Sequence, residues 1–416
     1  MDEGSRLTSF DRLWSQLEPI GRNPDNGGYR RFAYQAAELE CREWFASTAA
    51  DRGLDIEVDR NGNLWAWWTP AGVDPEIPAL VVGSHLDSVP DGGAFDGPLG
   101  VVSAFAAVDL LRSEGFKADR PIAVVAFADE EGAPFGIACA GSRMLTGELD
   151  PDRARGLRGR DGRTMAEAMR QAGHDPSGLG RDEQLLARIG CYVELHLEQG
   201  RALIDLEAPV GVATSIWPHG RYRFDFAGQA NHAGTTRMID RRDPMIAFAS
   251  AALAARKAAL AADARATFGR IEVEPNGTNA VPSLVRAWLD ARAESDAQLA
   301  ALVEGIRAAA QEASTGNGTT VDLIPESVSG ETVFDAPLRD RIARTVSDAL
   351  GDAPIPILPT GAGHDAGILA AAGVPSAMLF VRNPTGISHS PEEFAEQGDC
   401  LAGVTALAAV MRSLAT

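Results

Sequence analysis

Two short, uninterrupted apolar runs, at 79–82 and 122–127, constrain this chain more than any other feature. Neither alternates with polar residues, so both read as strands buried on both faces. Between them, Leu99 opens an apolar helical pattern that runs to Leu111. Strand, helix and strand in that order are the grammar of a βαβ unit. The expected core is therefore a mainly parallel sheet covered by helices. Ahead of it, 56–58 and 64–68 flank Asp-Arg-Asn-Gly-Asn, a strong hairpin signal. A further strand, expected at 191–197, carries Glu194 and His196.

At 416 residues the chain exceeds what one core ordinarily serves, so two domains are expected. Residues 148–188 are polar and rich in Gly and Arg, and read as a surface connector with a helix at 164–172. From about 214 the pattern changes to a strand at 221–227, an Ala-rich helix at 243–262, strands at 267–274 and 284–291, a helix at 295–313 and a strand at 319–324. That order, β-α-β-β-α-β, is the split ferredoxin-like arrangement. After Pro337 the α/β grammar resumes, with a helix at 338–350 and strands at 355–358 and 377–381. The fold class predicted is α/β: a helix-flanked, mainly parallel sheet formed by 1–213 and 331–416, interrupted by an α+β domain at 214–330.

The formal charge of −20 argues against nucleic acid or an anionic membrane surface as partners, because both would repel it. A small anionic substrate stays compatible, since one local Arg overrides a distant field. The four cysteines are far apart and form no Cys-x-x-Cys pair, which speaks against a disulfide framework. The start of the chain lacks a basic and then apolar leader, and no apolar run reaches ~18 residues. A cytoplasmic location is expected.

The chemistry concentrates past the two buried runs. The first leads into Gly83-Ser-His-Leu-Asp-Ser and Gly93-Ala-Phe-Asp-Gly-Pro-Leu-Gly, presenting His85, Asp87 and Asp96. By itself that loop reads equally as a Gly/Asp-rich turn. The second run ends at Asp129-Glu130-Glu131. If the two strands are parallel neighbours, both loops open on one edge of the sheet, where open α/β folds build their sites. Three successive carboxylates there are costly unless something positive neutralises them. Of seven histidines, His85, His196 and His389 fall where sheet strands end. Imidazole with carboxylate is the ligand set of zinc, manganese or cobalt, not of calcium. Five such ligands sharing one carboxylate would build a two-metal site, with the ions ~3.5–4 Å apart. One carboxylate must then stay off the metals to move a proton. Spacing does not say whether Glu130 or Glu131 has that role. His174, in Gly-His-Asp-Pro, reads as a solvated turn residue, and His364, in Gly361-Ala-Gly-His-Asp-Ala, as loop structure.

With Glu194-Leu-His-Leu-Glu-Gln-Gly, Asn231-His-Ala-Gly-Thr-Thr, Asn279-Ala-Val-Pro and Gly386-Ile-Ser-His-Ser-Pro-Glu-Glu added, the motifs span nearly the whole chain. It resembles the hydantoinase/carbamoylase group of di-zinc amidohydrolases, related to aminoacylases and carboxypeptidase-like metallopeptidases. The resemblance implies His85 and His196 on one metal, Glu131 and His389 on the other, and Asp96 between them. It further implies Glu130 as general acid/base and Asp87 as the carboxylate orienting His85. His232 would support the substrate carbonyl, and Asn279 and Arg292 would bind its carboxylate. Gln199 would also touch substrate. Two divalent ions are implied, zinc first, with manganese or cobalt as alternatives. So is a homodimer through the inserted lid domain, with His232 offered to the partner's site. Arg237 stands where the group commonly has proline, and His219 where relatives often carry a substrate-binding Gln. Both departures concern the substrate and leave the metal set intact. The implied reaction is hydrolysis of the ureido C–N bond of an N-carbamoyl-L-amino acid or of allantoate. A deacylase or dipeptidase of the wider clan is the enzymatic alternative, and a metal-stabilised binding protein the non-enzymatic one.

Overall fold

A computed structural model describes residues 3–159 and 161–416, with side chains from Ser9 onward. The chain divides into two compact units, one running to Thr214 and resuming at Val333, the other spanning Ser215–Thr332.

The first unit is built on a mixed sheet whose four central strands, Ile122–Phe127, Ala79–His85, Ile189–Leu197 and Ser376–Val381, are parallel. Three of these are buried at every residue, as uninterrupted apolar strands must be when helices cover both faces. Leu64–Trp68 pairs antiparallel with Ile122–Phe127 on one side and carries the predicted hairpin partner Asp55–Val58 beyond it. On the other side, Val210–Ile216 pairs antiparallel with Ser376–Val381. That strand was not anticipated, because its Val-Gly-Val-Ala-Thr-Ser-Ile pattern is short and blends into the preceding connector. A second difference is Ile357–Thr360, two residues later than expected. Pro354, Pro356 and Pro359 each lack an amide to donate, which keeps this strand short.

The helices Pro98–Ser113 and Gln397–Leu414 pack on this sheet through Leu99, Phe105, Leu111, Leu407 and Met411, all fully or almost fully buried. Gly83 sets the spacing of the two central strands. A Cβ there would lie 2.0 Å from the Val125 carbonyl oxygen, so no other residue permits this pairing without a shift.

The second unit is a four-stranded antiparallel sheet in the spatial order Thr320–Ser329, His219–Ala227, Leu284–Arg292, Arg265–Glu274. This is the ferredoxin-like order expected from β-α-β-β-α-β. The helices Pro244–Ala261 and Asp296–Gly316 cover one face, closing a core around Phe224, Phe226, Phe248, Leu289 and Ile306. Among the described residues, Pro244–Ala261 is the one helix long and apolar enough to cross a membrane by length and composition. Its Ala247, Phe248, Ala251, Ala255 and Ala259 are buried in the unit's own core, which accounts for much of that apolarity. A separate short ladder pairs Asn231–His232 with Ala280–Val281.

Candidate metal centre

The first unit brings His85, Asp96, Glu130, Glu131, His196, Gln199 and His389 to the carboxyl ends of its parallel strands. His85 is the last residue of Ala79–His85, and His196 the penultimate one of Ile189–Leu197. Asp96 lies two residues before the helix Pro98–Ser113, whose N-terminal dipole end favours a carboxylate. Gly97, at φ +85°, makes the turn, and a Cβ on it would fall 2.3 Å from the His85 ring. Glycine is therefore required where this loop folds back on its own histidine.

The arrangement around Asp96 divides in two. His85, Asp96 and His196 offer ligand atoms within 4.8 Å of one another, and so do Asp96, Glu131 and His389. Asp96 Oδ1 lies 3.2 Å from His196 Nε2 and 3.7 Å from His85 Nε2, whereas its Oδ2 lies 3.3 Å from His389 Nε2. The single carboxylate thus turns one oxygen to each set. Glu131 Oε2 is 3.5 Å from His389 Nε2. His85 Nε2, His196 Nε2 and Glu131 Oε1 are buried and have no hydrogen-bond partner. Buried polar atoms are normally paired, so these orphans within the two ligand sets fit a cation. Both histidines are sealed, but half of the His389 side chain is exposed, which leaves the cluster open on that side.

The titration behaviour of the metal-free cluster points the same way. Burial works to lower His85, His196 and His389, yet the facing carboxylates outweigh it, and His389 is pushed up to about 9. Burial works to raise Asp96, but the facing imidazoles of His196, His389 and His85 hold it well below the usual carboxylate range. Glu131 is pushed up to about 7, chiefly by burial. Without a metal, protons on the imidazoles supply the positive charge these carboxylates need.

Several side chains hold the cluster in place, and the sequence signalled only some of them. Asp87 was expected to orient His85 through its carboxylate. Its backbone carbonyl is the closer partner, 3.1 Å from His85 Nδ1, with the carboxylate at 3.6 Å. The carboxylate instead accepts the backbone amides of Glu130 and Glu131, at 3.1 and 3.0 Å. One residue therefore ties both acidic loops together. Glu393 accepts the amides of Phe95 and Asp96 at 2.9 and 3.0 Å and receives the Ser388 hydroxyl at 2.9 Å. Burial pushes it up to about 7. Its motif showed two adjacent glutamates, and only burial separates the exposed Glu392 from this one. The hairpin turn also contributes, because Asn63 Oδ1 accepts the Ala128 amide directly before the acidic triplet.

His364, read as loop structure, precedes the helix Asp365–Ala371 and is almost fully buried, its ring 4.5 Å from that of His196. Glu194 and His364 also lie within ligand range of His196. Glu194 is already engaged, by the Ser84 hydroxyl and the Ala366 amide. His174, read as a solvated turn residue, follows the turn at Gly173 and is half-buried, with its ring 6.0 Å from that of Tyr34. Gln199 Nε2 donates to Asp96 Oδ2 at 2.7 Å.

Glu130 is nearly fully buried, with Oε2 3.7 Å from His85 Nε2. Burial raises it well above the ordinary range, the His85 charge opposing and Asp365 and Glu131 adding to the shift.

The second unit pairs its four predicted substrate residues two by two. In the short ladder His232 opposes Ala280, and the Asn279 carbonyl accepts the Ala233 amide at 2.9 Å. His232 Nδ1 accepts the amides of Gly234 and Thr235 at 3.0 and 3.2 Å. An accepting Nδ1 assigns the proton of the neutral ring to Nε2, leaving an outward N–H donor. Arg292 and His219 are register partners in the four-stranded sheet. The Arg292 guanidinium grips Asp290 through Nε and Nη2, at 2.8 and 3.2 Å. Arg237, in place of the usual proline, pairs locally with Asp240.

Imidazoles and carboxylates gathered at the ends of parallel strands, with one buried carboxylate beside them, make a site whose side chains could hold metal ions. The chain belongs to peptidase family M20/M25/M40, which it matches over residues 81–413, and within it to the hydantoinase/carbamoylase amidases. It is 37% identical to the N-carbamoyl-L-amino acid amidohydrolase of Geobacillus stearothermophilus over 95% of this chain and 96% of that protein. It is 32% identical to the allantoate amidohydrolase of Escherichia coli K12, over 96% of each. A crystal structure of a hydantoinase/carbamoylase family amidase from Burkholderia vietnamiensis superposes with a TM-score of 0.87 at 29% identity, covering 98% of this chain and 97% of that one. The protein is an amidohydrolase, acting on C–N bonds.

Proposed function

We propose that the chain hydrolyses the ureido C–N bond of an N-carbamoyl-L-amino acid or of allantoate, using two divalent ions, with zinc first and manganese or cobalt as alternatives. The observation that carries this reading is the divided use of Asp96, one oxygen to His85 and His196 and the other to His389 and Glu131. The names of the relatives above supply the substrate class.

In this mechanism His85, His196, Glu131 and His389 would hold the ions as terminal ligands, with Asp96 shared between the two sets. Bound there, the metals would supply a Lewis acid for the ureido carbonyl and lower the pKa of the attacking water. Glu130 takes the proton of that water and delivers it to the leaving nitrogen, a task suited to a carboxyl group whose proton affinity burial has raised. Asp87 holds Glu130 and Glu131 at fixed positions through their amides. His232, with Nε2–H free to donate, supports the carbonyl oxygen as negative charge develops. Asn279 and Arg292 take the substrate carboxylate, and Gln199 and His219 complete the contacts. Because Arg292 already holds Asp290, the substrate shares that guanidinium rather than meeting a bare charge.

Arg292→Ala should raise KM for carboxylate substrates by roughly 10- to 100-fold, the worth of a charged hydrogen bond, and change neutral ureas little. Equal effects on both would remove Arg292 from substrate binding. A panel of N-carbamoyl, N-acetyl and N-formyl amino acids, 3-ureidopropionate and allantoate, run with zinc, manganese and cobalt, tests the reading itself. Ammonia release from the ureido compounds supports it. Turnover of the acyl compounds alone would replace it with a deacylase.

The proposal includes a cytoplasmic homodimer that binds neither nucleic acid nor membrane. Ile246, Leu253 and Leu260, exposed at 47%, 72% and 68%, recur every seven residues along Pro244–Ala261 and form an apolar stripe outside the unit's own core. A second copy is the occupant that suits it. Leu253→Glu should shift the sedimentation profile to monomer at micromolar concentration; an unchanged profile would place the contact elsewhere.

A further inference from the structure

Three non-glycine residues of the site hold left-handed backbone, namely Asp129 at φ +53°, Cys139 at +54° and His389 at +56°. Each such conformation costs on the order of 1–3 kcal/mol and persists only where its surroundings enforce it. Asp129 immediately precedes Glu130 and His389 is a proposed ligand, so both lie in the chemistry already described. Cys139 is not accounted for by it.

The segment around Cys139 folds back along the acidic triplet. The amides of Cys139, Ala140 and Gly141 donate to the carbonyls of Glu130, Asp129 and Ala128, at 2.5, 3.0 and 2.9 Å. This ladder enforces the left-handed turn, and the turn aims the side chain inward. Cys139 Sγ sits 3.2 Å from Glu130 Oε1, while Glu130 Oε2 faces His85. The thiol is 2% exposed. Burial, with Glu130 and Asp365 nearby, keeps it well above the usual thiol range, so it remains a donor at neutral pH.

We propose that Cys139 is a positioning residue for the general base: its S–H pins Glu130 Oε1 and leaves Oε2 as the oxygen that meets the attacking water. This inference rests on Glu130 being the base. A thiol suits the position because it is a weak donor. It fixes the rotamer without stabilising the carboxylate as strongly as a hydroxyl would, and so without dulling its basicity.

The test compares Cys139→Ala, Cys139→Gly and Cys139→Ser with Glu130→Gln, all loaded with the same metal. The alanine and glycine variants should lose roughly tenfold in kcat, about what one hydrogen bond to a charged group supplies, with KM and metal content unchanged. Glycine accepts the left-handed backbone without strain, so it keeps the test valid if the alanine variant folds poorly. Serine should restore kcat to within about threefold of wild type, a rescue that a space-filling role would not produce. Wild-type kcat in the glycine variant, or failure of serine to rescue, overturns the positioning role. If Glu130→Gln is itself active, the assignment of the base has failed instead, and the two failures are thereby distinct.

Discussion

Glu130→Gln should retain its full complement of metal and lose roughly 10²- to 10⁴-fold in kcat, the usual worth of a positioned general acid/base. Glutamine has nearly the same shape and can still accept from Cys139, but it cannot take a proton from water. The loss should fall on kcat rather than KM, because Glu130 contributes to proton transfer and not to grip on the substrate. Stability should move the other way. Burial disfavours the charged form of Glu130, so its raised pKa makes it a destabilising group at neutral pH, increasingly so as pH rises. The metal-free variant should therefore melt no lower than the metal-free wild type at pH 7. Steady-state kinetics, elemental analysis and a thermal melt check the three parts together. Retained turnover would move the proton-transfer role to another group.

Asp96→Ala should have the largest effect on metal. Removing a terminal ligand such as His85 leaves the second set intact. Removing Asp96 reduces both sets at once, to His85 with His196 and to Glu131 with His389. Affinity should fall by more than the roughly 10- to 100-fold typical of losing an outer partner, and both ions should be lost on dialysis. Activity should disappear with them. The metal-free protein should also suffer at neutral pH. The pKa of Asp96 is depressed in the fold, so the stability it contributes is present above its unfolded value and lost only as pH falls through the folded one. Elemental analysis decides the matter: a variant that keeps two ions per chain would show that Asp96 does not bridge.

Much of this site is legible in the sequence. The apolar runs ending at His85 and Glu130–Glu131 implied parallel neighbours, and parallel neighbours share an edge. The ferredoxin-like unit was equally plain, because its alternating strands and long helices follow simple periodicities. Less legible were the groups that act through contacts distant in sequence. Glu393 reaches the amides of Phe95 and Asp96 across almost three hundred residues, and nothing local marks it apart from Glu392. Cys139 looked like one of four scattered thiols until the chain's return along the acidic triplet placed it on Glu130.

The division has a physical cause. Ligand chemistry is a property of residue type and local spacing, so the sequence by itself placed imidazoles and carboxylates at strand ends, and the resemblance of its motifs to a known family implied the class of reaction. Orientation is a property of hydrogen bonds between segments that only the folded chain brings together. The tertiary structure alone decided that Asp96 turns one oxygen to each ligand set and that Asp87 binds the backbone of both glutamates. It alone decided that His232 Nδ1 accepts two amides, and that the Cys139 thiol lies 3.2 Å from Glu130 Oε1.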